Sequence, residues 1–472
     1  MTRTVGALVA ILCMCLMISA CDGGGRADEA ATSEARGGVE VVTQSAARGA
    51  AAEATNAACD HTIPSDVDEA DGAADFSGVA PGDTVCIAAG TRGPLELRNF
   101  HGEDGQTITF VNDGGTVTVR GDGGDYAGIE IEDSDHIRLT GSGSAEQCGA
   151  DVAADAQKCG IRVFGSERSV TGMVKTEYVR IDHLEMGDNS ESAVSIRDNS
   201  MGRDEWIEHD VVVEHSYIHD VEDEGVYIGS SDYESGDYHV LHGVRVGHNL
   251  VANTGRDGLQ IGSATRDCVI HDNVVRHTGL NDESSHRAGV MNNQGSVCDV
   301  RGNVVTDAAG WGVYIQGNGG NDVYNNVVVR AGRFVDAGDD DGDGIAVREG
   351  SNESGSVRVW NNTIVSSRGD GIGWSSDVGS DNQIRNNLVV GSGGTNIPRS
   401  SDVETAHNLV ADSVSAAGFV DEAGDDYGLS DGSPAIDAGG DLSAMGITDD
   451  IDCVARPQGA AYDVGAHEHQ PD

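Results

Sequence analysis

The chain is predicted to be all-β, a single-stranded solenoid of the right-handed parallel β-helix type, on three observations. An asparagine recurs at Asn249, Asn273, Asn303, Asn326, Asn362 and Asn387, inside variants of one phrase (VRVGHNLV, VIHDNVVR, DVRGNVVT, DVYNNVVV, VRVWNNTI, QIRNNLVV), and an earlier copy, VVVEHSYI, carries Ser216 there. Three residues before that column stand only β-branched side chains, Val213, Val246, Ile270, Val300, Val323, Val359 and Ile384. The spacings of 24, 30, 23, 36 and 25 residues mark stacked repeats. Each copy is too short to bury a core alone, so neighbours must supply it.

Within a copy the apolar residues alternate with period two, which is a strand signal. A second strand follows at GVYIG (from Gly225), GLQIG (from Gly258), GVYIQ (from Gly312) and GIAVR (from Gly344). Each column asparagine should sit inside a bend, with its amide bonded to the next coil. An isolated asparagine marks only a turn, but six in register specify a ladder. Residues 1–20 read as a signal peptide, 21–58 as a disordered tether, 59–418 as the helix with its N-terminal cap, and 419–472 as a closing segment.

These phrases resemble the repeats of pectate-lyase-like β-helix proteins and bacterial polysaccharide lyases. GVAPGDTVCIAAGTRGPLEL (78–97) with GQTITFVNDGG (105–115) is similar to the opening segment of such proteins, and DDYGLSDGSPAIDAG (425–439) with YDVGAHE (462–468) to their closing segment. The resemblance implies the fold and leaves the reaction open, because one helix hosts lyases, hydrolases and inert scaffolds. Polysaccharide or cell-surface glycan is the partner it implies, bound and cleaved by a lyase, or bound only.

The apolar run Val5–Ile18 after Arg3 reads as an export signal, too short to span a membrane comfortably. Ile18-Ser19-Ala20-Cys21 resembles a bacterial lipoprotein box, which implies acylation of Cys21 and attachment to the cell envelope by lipid alone. Asp22 resembles an inner-membrane retention signal; which membrane holds the anchor stays open. Net charge is −50, from 29 basic and 79 acidic residues, and the only lysines are Lys158 and Lys175. Such a surface repels nucleic acid and polyanionic glycans over a Debye length of about 8–10 Å and suits high salt or abundant divalent cations. A monomer is expected. Export permits disulfides. Cys268 and Cys298 hold equivalent places in adjacent coils, as a bridge or as two buried thiols. Cys59–Cys86 would pin the cap and Cys148–Cys159 would close a short loop, leaving Cys453 over.

Function must come from outward positions and insertions. Long copies insert 230–243, 279–288 and 332–342. The outward stripe of the second strand runs Tyr227, Gln260, Met291, Tyr314, Ala346, Gly373, with Gln316 and Arg348 two residues beyond members of it. Tyr227, Gln260, Tyr314, Gln316 and Arg348 suit sugar stacking and hydrogen bonding, with Trp311 at a coil edge as a platform; the alternative is a solvated sheet face. A lyase needs a base for the proton α to a uronate carboxylate and a cation for that carboxylate. His286, Arg287 and Arg256 supply such groups, and Tyr227 a proton donor. A hydrolase needs paired carboxylates; Glu224, Asp257, Asp343 and Asp370 share one column before Gly, where a turn role is the first explanation. Asp339, Asp341 and Asp343 match the start of a calcium loop that lacks the glutamate of an EF-hand, with a solvated acidic loop as the alternative.

Overall fold

The computed structural model describes residues 58–142, 147–198, 200–317, 319–333, 340–348, 355–375 and 379–471. Its strands stack coil upon coil into a right-handed parallel β-helix. One sheet of 23 strands carries both strands of the repeated phrase, a second of 11 carries the GVYIG-type strands, and a third of 3 joins Ile207–His209, Val240–His242 and Ala264–Arg266. The β-branched column is in register from Val213 through Val246, Ile270, Val300, Val323 and Val359 to Ile384, all fully buried. These residues and the inward positions of the second sheet form one interior running the length of the solenoid.

The asparagine ladder is internal and continuous. Each Oδ1 accepts from both the backbone N–H and the Nδ2–H of the asparagine one coil earlier, at 2.9–3.1 Å, and the series continues past Asn387 to Asn408. Each Nδ2 also donates to the carbonyl of the preceding coil's β-branched residue, as Asn303 does to Ile270 at 2.9 Å. The residue before each asparagine takes a left-handed conformation, His248, Asp272, Gly302, Asn325, Asn361 and Asn386 among them. This is the conformation in which His, Asp, Asn and Gly are enriched.

The closing segment does more than end the stack. It runs back along the ladder's outer flank, where Asn325, Asn361 and Asn386 donate to the carbonyls of Asp449, Asp463 and Gly440. It buries Trp360 completely beneath Leu442, Ile447 and Tyr462. Cys59–Cys86, Cys148–Cys159 and Cys268–Cys298 are disulfides, the last between directly paired residues 4.4 Å apart at Cα. Cys453, left over in the sequence count, is disulfide-bonded as well. Residues 1–57, with Cys21, lie outside the described residues, and no helix among those described is long and apolar enough to cross a membrane.

Candidate functional site

The turn leading into the second sheet carries the acidic column. One oxygen of each carboxylate does the structural work a turn residue should. Asp257 Oδ1 accepts the N–H of Ala288 one coil on (2.6 Å), Asp343 Oδ1 that of Asp370 (2.6 Å), and Glu224 Oε2 accepts the Ser192 hydroxyl (2.9 Å). The second oxygens divide the column. Asp343 Oδ2 is taken by Arg348 at 2.6 Å. Glu224 Oε1 and Asp257 Oδ2 are buried without a hydrogen-bond partner. Both face His286 Nδ1, at 3.7 and 3.5 Å.

His286 arrives from the 279–288 insertion, whose last turn folds back onto the neighbouring coils. Its imidazole is 31% exposed while the Glu224 and Asp257 side chains are 2% and 0% exposed, so it stands between two sequestered carboxyls and solvent. Arg256 lies alongside, with Nη1 3.8 Å from Glu224 and Nε 2.8 Å from Glu283 and 3.1 Å from Asp223. Burial, then the charges of Asp257 and Asp223, push the Glu224 carboxyl up to about 7. Burial also raises Asp257, against the pull of His286. Asp257 in turn holds the His286 imidazole above its ordinary value, in spite of burial. The arrangement is a proton-exchanging cluster: two like charges in a dry site cannot both ionise, and an imidazole can carry the difference.

The outward stripe is in register as expected, Tyr227–Gln260–Met291–Tyr314–Ala346. It is covered rather than open. Gln260 is fully buried with neither amide atom bonded. Tyr227 lies under the Arg197 guanidinium (4.0 Å) and shares a 3.1 Å hydrogen bond with Ser231. Trp311 is only 6% exposed, 4.4 Å from the Tyr314 ring, and packs with Ala288, Met291 and Ala346. Gln316 is half-buried. Arg287 is buried and joins two insertions by bonding Asp282 (2.8 Å) and Asp341 (3.1 Å). His286 and Arg287, adjacent in sequence, therefore do different work.

Asp341 and Asp343 pair with different arginines, Arg287 and Arg348, and do not converge on one point. Asp339 lies outside the described residues. Three donor groups of metal-binding size occur among those described: Glu224/Asp257/His286, His248/His271/Asp272, and a third containing the Cys59–Cys86 disulfide. Calcium takes six to eight oxygens. The first group offers two unbonded carboxylate oxygens but an imidazole as its third member, an incomplete fit to that ion. In the sequence Glu224 and Asp257 read first as turn residues and second as the paired carboxylates of a hydrolase. Their column was visible; the return of His286 over it was not.

No protein-family model and no curated protein matches the chain. Among solved structures it is similar to pectate lyase Pel9A, at 15% identity and a TM-score of 0.51, over 87% of this chain and 97% of that one. Looser similarities include a mannuronic acid specific polysaccharide family 6 lyase from human gut microbiota (13% identity, TM-score 0.44, 77% and 89% of the two chains) and an alginate lyase from Paenibacillus sp. str. FPU-7 (14%, 0.34, 74% and 99%). At these identities the shared property is the fold.

Proposed function

We propose that this protein binds and cleaves an acidic polysaccharide at the Glu224–Asp257–His286–Arg256 cluster, by β-elimination. The observation that carries the reading is the partly exposed His286 held over two buried carboxyl oxygens that have no hydrogen bond. With Nδ1 turned to Asp257, Nε2 is left to face a substrate. It takes the proton α to a uronate carboxylate, and Asp257 stabilises the imidazolium. The carbon–oxygen bond to the leaving sugar then breaks, leaving a double bond in the uronate, and the same imidazolium returns its proton to the departing oxygen. Arg256 supplies positive charge for the uronate carboxylate as it gains enolate character. Pel9A is a pectate lyase on the same fold, which is consistent with this chemistry.

Export to the cell envelope, with a lipid on Cys21 as the anchor, is part of the same proposal, supported by the apolar run Val5–Ile18 and the Ser19-Ala20-Cys21 box. Calcium at the 339–343 loop belongs to the same proposal, and it would require Asp341 and Asp343 to exchange Arg287 and Arg348 for the ion. A non-catalytic glycan-binding or scaffold role is the competing reading, favoured by the burial of Gln260 in the stripe and of Trp311 at the coil edge beside it.

The test is a panel of uronate-containing and neutral glycans, with wild type and His286→Ala, in calcium and in chelator. Unsaturated product from wild type and none from the variant supports the reading. New reducing ends without unsaturation would mean hydrolysis, and no product across the panel would favour the scaffold.

A further inference from the structure

On the ladder's outer flank, away from the cluster above, two covering segments leave a gap. The Cys148–Cys159 loop covers the N-terminal coils, where Ala150 N–H bonds His248 O at 2.8 Å. The closing segment covers the C-terminal coils. Between them lies a cavity of about 100 Å³, lined by Asp272, Arg301, Gly302 and Tyr324 from the coils and by Asp449 and Asp450 from the closing segment. At its edge His248, His271 and Asp272 bring donor atoms within 4.8 Å of one another, and all three side chains are more than nine-tenths buried. The turn bearing His248 is separated from that bearing Asp257 by the strand Leu250–Thr254, about 17 Å of extended chain.

We propose that His248, His271 and Asp272 bind a borderline divalent transition metal of the zinc class. Asp272 Oδ2 is 2.8 Å from His271 Nδ1 and 3.9 Å from His248 Nε2. Tetrahedral donors at about 2.0–2.1 Å from zinc stand about 3.3 Å apart, so pairs now up to 4.8 Å apart close by at most about 1.5 Å through movement of the two rings. Two imidazoles and one carboxylate suit zinc, cobalt or nickel and not calcium, which takes oxygens. Binding replaces the proton shared between His271 Nδ1 and Asp272, which leaves to solvent.

The surroundings favour the ion. The cavity carries three carboxylates, Asp272, Asp449 and Asp450, against the Arg301 guanidinium, 3.7 Å from Asp272. His215 stacks on His248 at 4.7 Å and 6°, which fixes that ring. The next coil places Gly302 above Asp272; its φ is +65°, and a Cβ there would lie 2.2 Å from Asp272 Oδ1. Any side chain at that position would fill the space beside the carboxylate, and glycine leaves it open to the cavity.

The experiment titrates chelator-stripped protein with Zn²⁺ and with Co²⁺. Wild type should take up an equivalent that gives Co²⁺ the intense visible bands of a four-coordinate site. Asp272→Asn and His248→Ala should weaken that equivalent at least tenfold, and His286→Ala, in the other donor group, should retain it. Zinc-edge anomalous diffraction from soaked wild-type crystals locates the ion without any variant, so a misfolded variant does not blunt the test. No anomalous peak beside Asp272, unchanged zinc affinity in Asp272→Asn, or loss of the equivalent in His286→Ala would each overturn the assignment.

Discussion

The two turns at either end of Leu250–Thr254 are built by the same stacking and reach opposite electrostatic states. At the asparagine turn, stacking identical neutral amides lets every donor and acceptor find a partner in the next coil, so repetition stabilises without limit. At the acidic turn, each carboxylate offers one oxygen to a neighbouring coil. Its second oxygen is then left in a dry wall close to another negative charge. Asp343 resolves this with Arg348. Glu224 and Asp257 have no hydrogen bond there, only the approach of His286 to both and of Arg256 to Glu224. Repetition of a neutral group makes scaffold; repetition of a charged one creates a site wherever no counter-ion is supplied.

The largest expected effect breaks the first turn. Asn303→Leu strands the N–H and one Nδ2–H of Asn273 and removes a donor from the Ile270 carbonyl, while Asn326 Oδ1 keeps the backbone N–H of residue 303. At about 1–3 kcal/mol for each buried group left unpaired, a loss of about 3–6 kcal/mol is expected, read as a drop in urea midpoint. A loss below about 1 kcal/mol would mean the ladder is decorative.

The second experiment sharpens the contrast by pH. Glu224 has its carboxyl raised from 4.5 to about 7, so between those values the folded state holds a proton the unfolded chain has released. The stability tied to this group is full below pH 4.5 and is lost as pH rises through 7, on the order of 3 kcal/mol in all. His286 is raised too, and its contribution has the same sign. Glu224→Gln should therefore flatten the melting temperature between pH 5 and pH 8 relative to wild type. Asp343 keeps its own raised carboxyl in both proteins and cancels in the difference. An identical slope in the two proteins would show that Glu224 is ionised throughout.

Smaller in free energy, but decisive for function, is His286→Ala, expected to lower turnover about 100-fold or more, about 2.7 kcal/mol of transition-state stabilisation. Its melting temperature should be lower than that of wild type below pH 7, where the raised imidazolium contributes stability, and differ little from it at pH 8. The smallest effect is expected from Arg256→Ala on stability, below about 1 kcal/mol, because its pairs with Glu283 and Asp223 are partly exposed and screened. The same variant should raise KM for acidic glycans and leave KM for neutral ones alone. Equal KM changes on both would remove Arg256 from carboxylate recognition.

The solenoid was readable because its signals are local and repeated: a β-branched residue, then an asparagine three positions on, then a Gly-led strand. The Cys268–Cys298 bridge followed from the same register. The outward stripe was also placed correctly, but its exposure was not. Trp311 between two glycines looks like an open platform in sequence, and it is packed against Ala288, Met291, Tyr314 and Ala346. Arg287 looked like a loop cation, and its partners Asp282 and Asp341 turn it into a brace.

Composition, period and column identity were enough to set the coil, its interior and its internal ladder, since each coil meets its neighbour in one register that side-chain alternation enforces. Long-range returns of the chain carry no periodic signal. The 279–288 insertion brings His286 back over Glu224 and Asp257, and the closing segment comes to lie along Asn325, Asn361 and Asn386 rather than only across the end of the stack. Those placements depend on which buried charge lacks a partner and which flank lacks cover, quantities that exist only once the coils have stacked.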